Sequence, residues 1–108
     1  MNPESLKGHL DLLLLAALAV RPMHGYAVLE RLRGLSEGTF DLPEGTIYPA
    51  LHRLEDAGLL ASRWDEATGR RRRVYRLTAR GRRALDRRRE EWRRFVGGVQ
   101  AVLGGGTA

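Results

Sequence analysis

The chain has 108 residues and a mass of 12.1 kDa, enough for one ordinary domain and too little for two. An apolar share of 43% excludes a wholly disordered chain, and the absence of cysteine excludes disulfide scaffolds, thiol nucleophiles and Cys-based zinc sites. Nineteen Lys+Arg against thirteen Asp+Glu leave a net charge of +6, and the charge is unevenly placed: residues 1–62 sum to −3, residues 63–94 to +9, and residues 95–108 carry none.

A local basic block on a small domain points to a polyanionic partner, usually nucleic acid. The longest apolar run, Leu12 to Val20, is about half of what a bilayer requires. Glu4 and Asp11 stand where a signal peptide needs positive charge, so the run reads as a buried first helix and the protein as cytoplasmic, away from any membrane.

In chain order, Ser5 is a potential cap for a helix beginning at Leu6, with Leu6, Leu10, Leu13, Leu14 and Leu18 on one face. Leu12 and Leu15 make this helix apolar nearly all round, and Pro22 ends it. A second helix is expected from about Gly25 to Leu35, burying Val28, Leu29, Leu32 and Leu35. A third runs from Pro43 or Glu44 to Ala57, with Asp41 as a possible cap and Ile47, Leu51 and Leu54 facing the core. Pro49 sits inside it and requires a late start or a distorted first turn. Leu59–Asp65 and Arg72–Leu77 read as strands joined by a short Gly69-containing connection, hence a β-hairpin with Arg70, Arg71, Arg72 and Arg73 at its turn. Thr78 caps a last helix from Ala79 to Leu103. On that helix Leu85, Trp92, Phe95 or Val96, Val99, and Val102 or Leu103 recur at steps of three and four, a short heptad-like seam.

The expected fold is mainly α with a small β-hairpin: a winged helix-turn-helix over residues 1–78, a C-terminal dimerisation helix over 79–103, and a flexible tail over 104–108. In such a fold the third helix offers its free face to a DNA major groove, and the hairpin arginines neutralise phosphates. The free positions are Thr46, Tyr48, Pro49, His52 and Arg53. For Tyr48, packing against the domain and contact with DNA are equally compatible with the sequence. On the last helix, Arg82–Asp86, Arg87–Glu91 and Glu90–Arg94 are spaced as ion pairs on an exposed face, while Arg80 and Arg83, near the helix start, could reach DNA. Trp64 reads as a packing residue.

The segments Leu6–Leu15, His24-Gly25-Tyr26, Gly45-Thr46-Ile47-Tyr48-Pro49-Ala50-Leu51-His52-Arg53-Leu54-Glu55, Gly58-Leu59-Leu60 and Tyr75-Arg76-Leu77-Thr78 with Gly81 occur in this order. Taken together they resemble the PadR family of transcriptional regulators, in its compact form with one C-terminal helix. The resemblance implies a homodimeric repressor acting on double-stranded DNA, at a two-fold symmetric operator. It also implies release by a small hydrophobic or aromatic effector between the subunits. The seam that would line such a site comprises Leu10, Leu14, Trp92, Phe95, Val96 and Val99; a tightly packed dimer core with no cavity fits the same residues. Gly97 and Gly98 cost helix propensity of about 2 kcal/mol and are compatible with close helix approach, a kink or an open gap in the seam.

Neither a metal nor another cofactor is expected, because His9, His24 and His52 lack ligand spacing and no Gly-rich loop follows a strand. No enzyme is expected either, since Ser5, Ser36 and Ser62 have no histidine base and orienting acid near them in sequence. An RNA-binding basic module and a winged helix devoted to protein contacts remain alternatives to a DNA-binding regulator.

Overall fold

The computed structural model describes residue 6, residues 8–67 and residues 69–105. Ser5, the expected first cap, lies outside the described residues, as do Thr68 of the hairpin connection and residues 106–108 of the expected tail. The elements are α1 (Leu10–Leu18), β1 (Met23–His24), α2 (Gly25–Leu35), α3 (Glu44–Asp56), β2 (Leu60–Asp65), β3 (Arg72–Leu77) and α4 (Ala79–Leu103). The winged helix-turn-helix is therefore present, with a sheet of three antiparallel strands in the order β1-β3-β2.

Leu6 is helical, as its spacing suggests, but the regular helix that carries the leucine run begins only at Leu10. Gly8 has φ +120°, a region closed to most L-residues, and this breaks the chain between Leu6 and the regular helix. Leu14, Leu15, Ala17 and Leu18 of α1 then enter one core with Val28, Leu29 and Leu32 of α2 and Ile47, Ala50, Leu51 and Leu54 of α3. Each fully buried aliphatic side chain contributes roughly 1.5–3 kcal/mol of transfer free energy, so α1 serves as the central post of the domain. Leu35 departs from the expected stripe and is 67% exposed, because α2 ends there and Ser36 turns the chain away. Ser36 holds that turn by donating to the Leu32 carbonyl at 2.7 Å and accepting from the Phe40 N–H at 2.9 Å.

Helix α3 is capped by the backbone of Pro43, and Asp41 instead forms an ion pair with Arg33 at 3.5 Å. Pro49 lies within α3, and the first turn is tightened: the N–H groups of Thr46 and Ile47 share the Pro43 carbonyl at 3.0 and 3.2 Å. Gly58, with φ +80°, closes the other end, and the Leu59 N–H reaches back to the Leu54 carbonyl at 3.0 Å. This sharp reversal sends the chain directly into β2.

Strands β2 and β3 pair from Leu60 opposite Leu77 out to Asp65 opposite Arg72, and β1 adds Met23 opposite Tyr75 and His24 opposite Val74. The two-residue β1 carries no periodic signal, which is why a two-stranded hairpin was the expectation. Thr78 caps α4 by accepting from the Gly81 N–H at 2.9 Å, and its hydroxyl also donates to the Gly58 carbonyl at 2.8 Å. Only Gly81, Ala84 and Leu85 of α4 are buried. The helix spans about 37 Å at 1.5 Å per residue, so its second half runs past the domain and gives the chain an extent of 61 × 28 × 21 Å.

Candidate nucleic-acid interface

An open cleft of about 740 Å³ lies between α3 and the β2–β3 wing. Its walls bring together Tyr48 and His52 from α3, His24 and Tyr26 from the start of α2, Trp64 and Tyr75 from the wing, and all four residues Arg70 to Arg73. The arginine block is not confined to the turn. Arg70 and Arg71 belong to the connection, whereas Arg72 and Arg73 already lie on β3, paired with Asp65 and Trp64 of β2, and are half-buried. Strand β3 begins at Arg72, as expected from the sequence, and the connection before it closes through a 3.0 Å hydrogen bond from the Gly69 N–H to the Glu66 carbonyl.

On α3, Gly45, Pro49, His52 and Arg53 are exposed, and Thr46 and Tyr48 are partly so. Tyr48 packs its ring edge on Gly25: a Cβ placed on that glycine would stand 2.4 Å from the Tyr48 Cε1 atom. Burial pushes the Tyr48 hydroxyl's pKa up, the Glu44 carboxylate adds to the rise, and a backbone hydrogen bond with Tyr26 and the charge of Arg72 oppose it. The hydroxyl is thus neutral at ordinary pH and stands at the start of α2, beside the cleft. His52 turns its ring toward Tyr75, with centroids 6.4 Å apart. No group of three or more metal-ligating side chains occurs among the described residues.

Arg53 has a partner that sequence spacing does not reveal. Its Nη1 and Nη2 donate to the two oxygens of Asp11 on α1 at 3.0 and 2.8 Å. The hydrogen bond to Asp11 and its negative charge hold the guanidinium protonated against a desolvation cost. Arg88 of α4 approaches the same carboxylate at 3.8 Å, so Asp11 ties the third and last helices to the first. The signal for Asp11 was present as the one charge inside an apolar helix. Its partner lies 42 residues away, beyond local inference.

Three further residues shape the wing. His24 accepts from the Ala27 N–H at 3.3 Å and so caps α2, while its Nε2 lies 2.9 Å from Arg72 Nη1. Trp64 is not a packing residue: it is 50% exposed, with the guanidinium carbons of Arg71 and Arg73 at 4.2 and 5.2 Å from its ring. The physical reason is its place on the strand: it stands opposite Arg73 at the outer end of the hairpin, beyond the reach of the core. Ser62 donates to the carboxylate of Glu55 at the end of α3, and Arg73 Nε donates to Ser62 Oγ at 2.7 Å.

The remaining sequence-derived positions fall on the seam. Leu14 is fully buried within a single chain, which removes it from any surface between subunits; Leu10 is partly buried against the same core. Trp92 is 42% exposed, stacks edge-on against His9 at 5.1 Å and lies 5.8 Å from Phe95. These three residues, with Gly8, Leu12, Arg88 and Glu91, line a recess of about 190 Å³ between the start of α1 and α4. Val96 is partly buried and Val99 exposed, and Gly97 and Gly98 face open space. Of the expected helix pairs Glu90–Arg94 forms, at 3.6 Å, whereas Arg82 donates to the Ala19 carbonyl at 3.2 Å.

Residues 14–87 match the family described as transcriptional regulator PadR-like family. A transcriptional regulator of Mycobacterium tuberculosis is 48% identical over 77 residues, covering 68% of this chain and 72% of the relative. Among solved structures, a PadR family transcriptional regulator from Eggerthella lenta is 35% identical with a TM-score of 0.79, covering 93% of this chain and 86% of that one. A transcriptional regulator from Clostridium thermocellum superposes with a TM-score of 0.83 at 27% identity, covering 93% of this chain and 95% of that one. With the winged-helix architecture, the matched residues and these relatives in agreement, the chain belongs to the PadR-like family of transcriptional regulators.

Proposed function

We propose that this regulator is a repressor that binds double-stranded DNA as a homodimer, with α3 in the major groove and the β2–β3 wing along the neighbouring phosphates. The observation that carries this reading is the cleft where the free face of α3 meets Arg70 to Arg73. Phosphate neutralisation by arginines of that block releases counterions and supplies affinity without regard to sequence. Thr46, Tyr48 and His52 stand on the side where base edges would lie, and two hydroxyls among them suit base edges or phosphates. Glu44, Glu55 and Asp56 outweigh Arg53 on α3 itself, so the wing carries most of the attraction.

The second half of α4 supports the dimer. Phe95, Val99, Val102 and Leu103 are exposed on a helix that extends beyond the core, and apolar side chains in such a row favour burial against a second copy. A dimer carries two α3 helices and so favours a two-fold symmetric operator. The Trp92 recess has an indole, an imidazole and a phenyl ring around it, which suits a small planar aromatic effector. An effector there relieves repression to the extent that it binds the DNA-competent and DNA-incompetent arrangements unequally.

Footprinting of the purified protein on its own promoter tests the proposal. A protected segment with two-fold symmetry is the expected result. Binding to RNA in preference to any duplex, or no nucleic-acid binding at all, would replace it with one of the other readings.

A further inference from the structure

We infer that Glu55 is a positioning residue that withholds Arg73 from phosphate and so limits sequence-independent DNA affinity. The inference rests on the DNA-binding reading above. Glu55 closes the last turn of α3, and its carboxylate faces β2 and β3 across the root of the wing. It accepts a hydrogen bond from Ser62 Oγ, and its Oε2 lies 3.6 Å from Arg73 Nη2. Arg73 is also bound to Ser62 through Nε at 2.7 Å and lies against the Trp64 ring. The guanidinium is thus held by a carboxylate and a hydroxyl, while the indole is shared with Arg71, which lies nearer to it at 4.2 Å.

Burial separates this pair from an ordinary surface ion pair. The side chains of Arg73 and Glu55 are 39% and 25% exposed, so both are partly desolvated. Moving Arg73 to a phosphate would leave Glu55 without its charge partner in that setting and place a bare carboxylate close to DNA. Both consequences oppose the move. Arg70 has no such tether among the described residues, and the ion pair of Arg71 with Glu66 at 3.8 Å is exposed on both sides. The four arginines of the block are therefore not equivalent. Arg70 and Arg71 face the polyanion, Arg72 lies against His24 at 2.9 Å, and Arg73 fixes the wing to the end of α3.

The experiment compares wild type with Glu55→Gln, Arg73→Gln and the double variant, using fluorescence anisotropy on a random-sequence duplex. Gln at 55 keeps the shape and can still accept from Ser62, but it releases Arg73. Log affinity then falls more steeply with log salt by about 0.9, the slope of one added phosphate contact. The affinity ratio of Glu55→Gln to wild type accordingly shrinks by about 3.5-fold between roughly 50 and 200 mM salt. Arg73→Gln leaves the wild-type slope in place, and the double variant returns to it. A purely structural role for Glu55 predicts the opposite sign, with weaker binding to all DNA.

A Glu55→Gln slope equal to or shallower than wild type, at an unchanged Tm, overturns the inference. So does an Arg73→Gln slope about 0.9 shallower than wild type, and that arm decides the matter even where Glu55→Gln lowers the Tm. Failure of the wild-type protein to bind any duplex would instead overturn the DNA-binding reading itself.

Discussion

Gly25→Ala places a methyl group where the Tyr48 ring already lies. The new Cβ would stand 2.4 Å from Cε1, 2.8 Å from Cζ and 3.1 Å from Cδ1 of Tyr48. Carbon atoms in good contact are about 3.5–4.0 Å apart, so the ring must withdraw by roughly 1 Å or more. Forcing the ring out of a packed surface is an overpacking cost of about 1–3 kcal/mol. Stiffening the unfolded chain returns about 0.4–1 kcal/mol. The net loss is about 1–2 kcal/mol, or a Tm lower by roughly 4–16 °C for a domain of this size. Thermal unfolding followed by circular dichroism measures it. The decisive control is Gly25→Ala in a Tyr48→Ala background, where the methyl meets no ring and the Tm holds or rises. Equal losses in both backgrounds would refute the steric reasoning, because the cost would then lie in the glycine's backbone. Promoter affinity is expected to fall with the displaced ring in the first background.

Other outcomes follow from the same packing. Gly81→Ala would put a Cβ 2.0 Å from the Leu59 carbonyl oxygen, a backbone atom that cannot rotate away. A loss of about 3 kcal/mol or more in denaturant unfolding is expected, and a wild-type midpoint would contradict the contact. Tyr75 has its pKa raised first by burial and then by Glu55 and Tyr48, against Arg73, and Tyr48 is raised as well. The folded chain therefore holds protons that the unfolded chain loses near pH 10, so stability falls as pH rises from about 10 through the raised values. Tyr75→Phe should make that decline shallower in urea titrations at about pH 9 and pH 11, and an unchanged decline would show that Tyr75 does not contribute to it. Val99→Asp with Leu103→Asp should give monomers in sedimentation equilibrium with unaltered circular dichroism, whereas a persisting dimer would move the interface elsewhere.

The periodic parts of this fold were legible in the residues. Val28, Leu29 and Leu32 on α2 and Ile47, Leu51 and Leu54 on α3 are buried as their spacing implies, since a helix with one apolar stripe has one way to face a core. Thr78 caps α4 as its type and place imply. What stayed hidden depends on distance in the chain. Asp11 meets Arg53, Glu55 meets Ser62 and Arg73, and His24 meets Arg72 only once the helices and wing are assembled. Leu14 illustrates a different failure. It was expected to line a seam between subunits, yet it is fully buried in the core of one chain, and periodicity alone does not distinguish the two uses. Trp64 inverts the case: an aromatic expected to pack inward stands at the end of a strand with nothing but arginines to cover it.

Whether the wing arginines grip phosphates beside α3 is read from the salt dependence of binding to a duplex from the protein's own promoter, for wild type and for Arg70→Ala/Arg71→Ala/Arg72→Ala. A log–log slope shallower in the variant by about 0.9 for each phosphate contact removed is expected, with weaker binding at every salt concentration. An unchanged slope in a variant that keeps the wild-type Tm would contradict that grip.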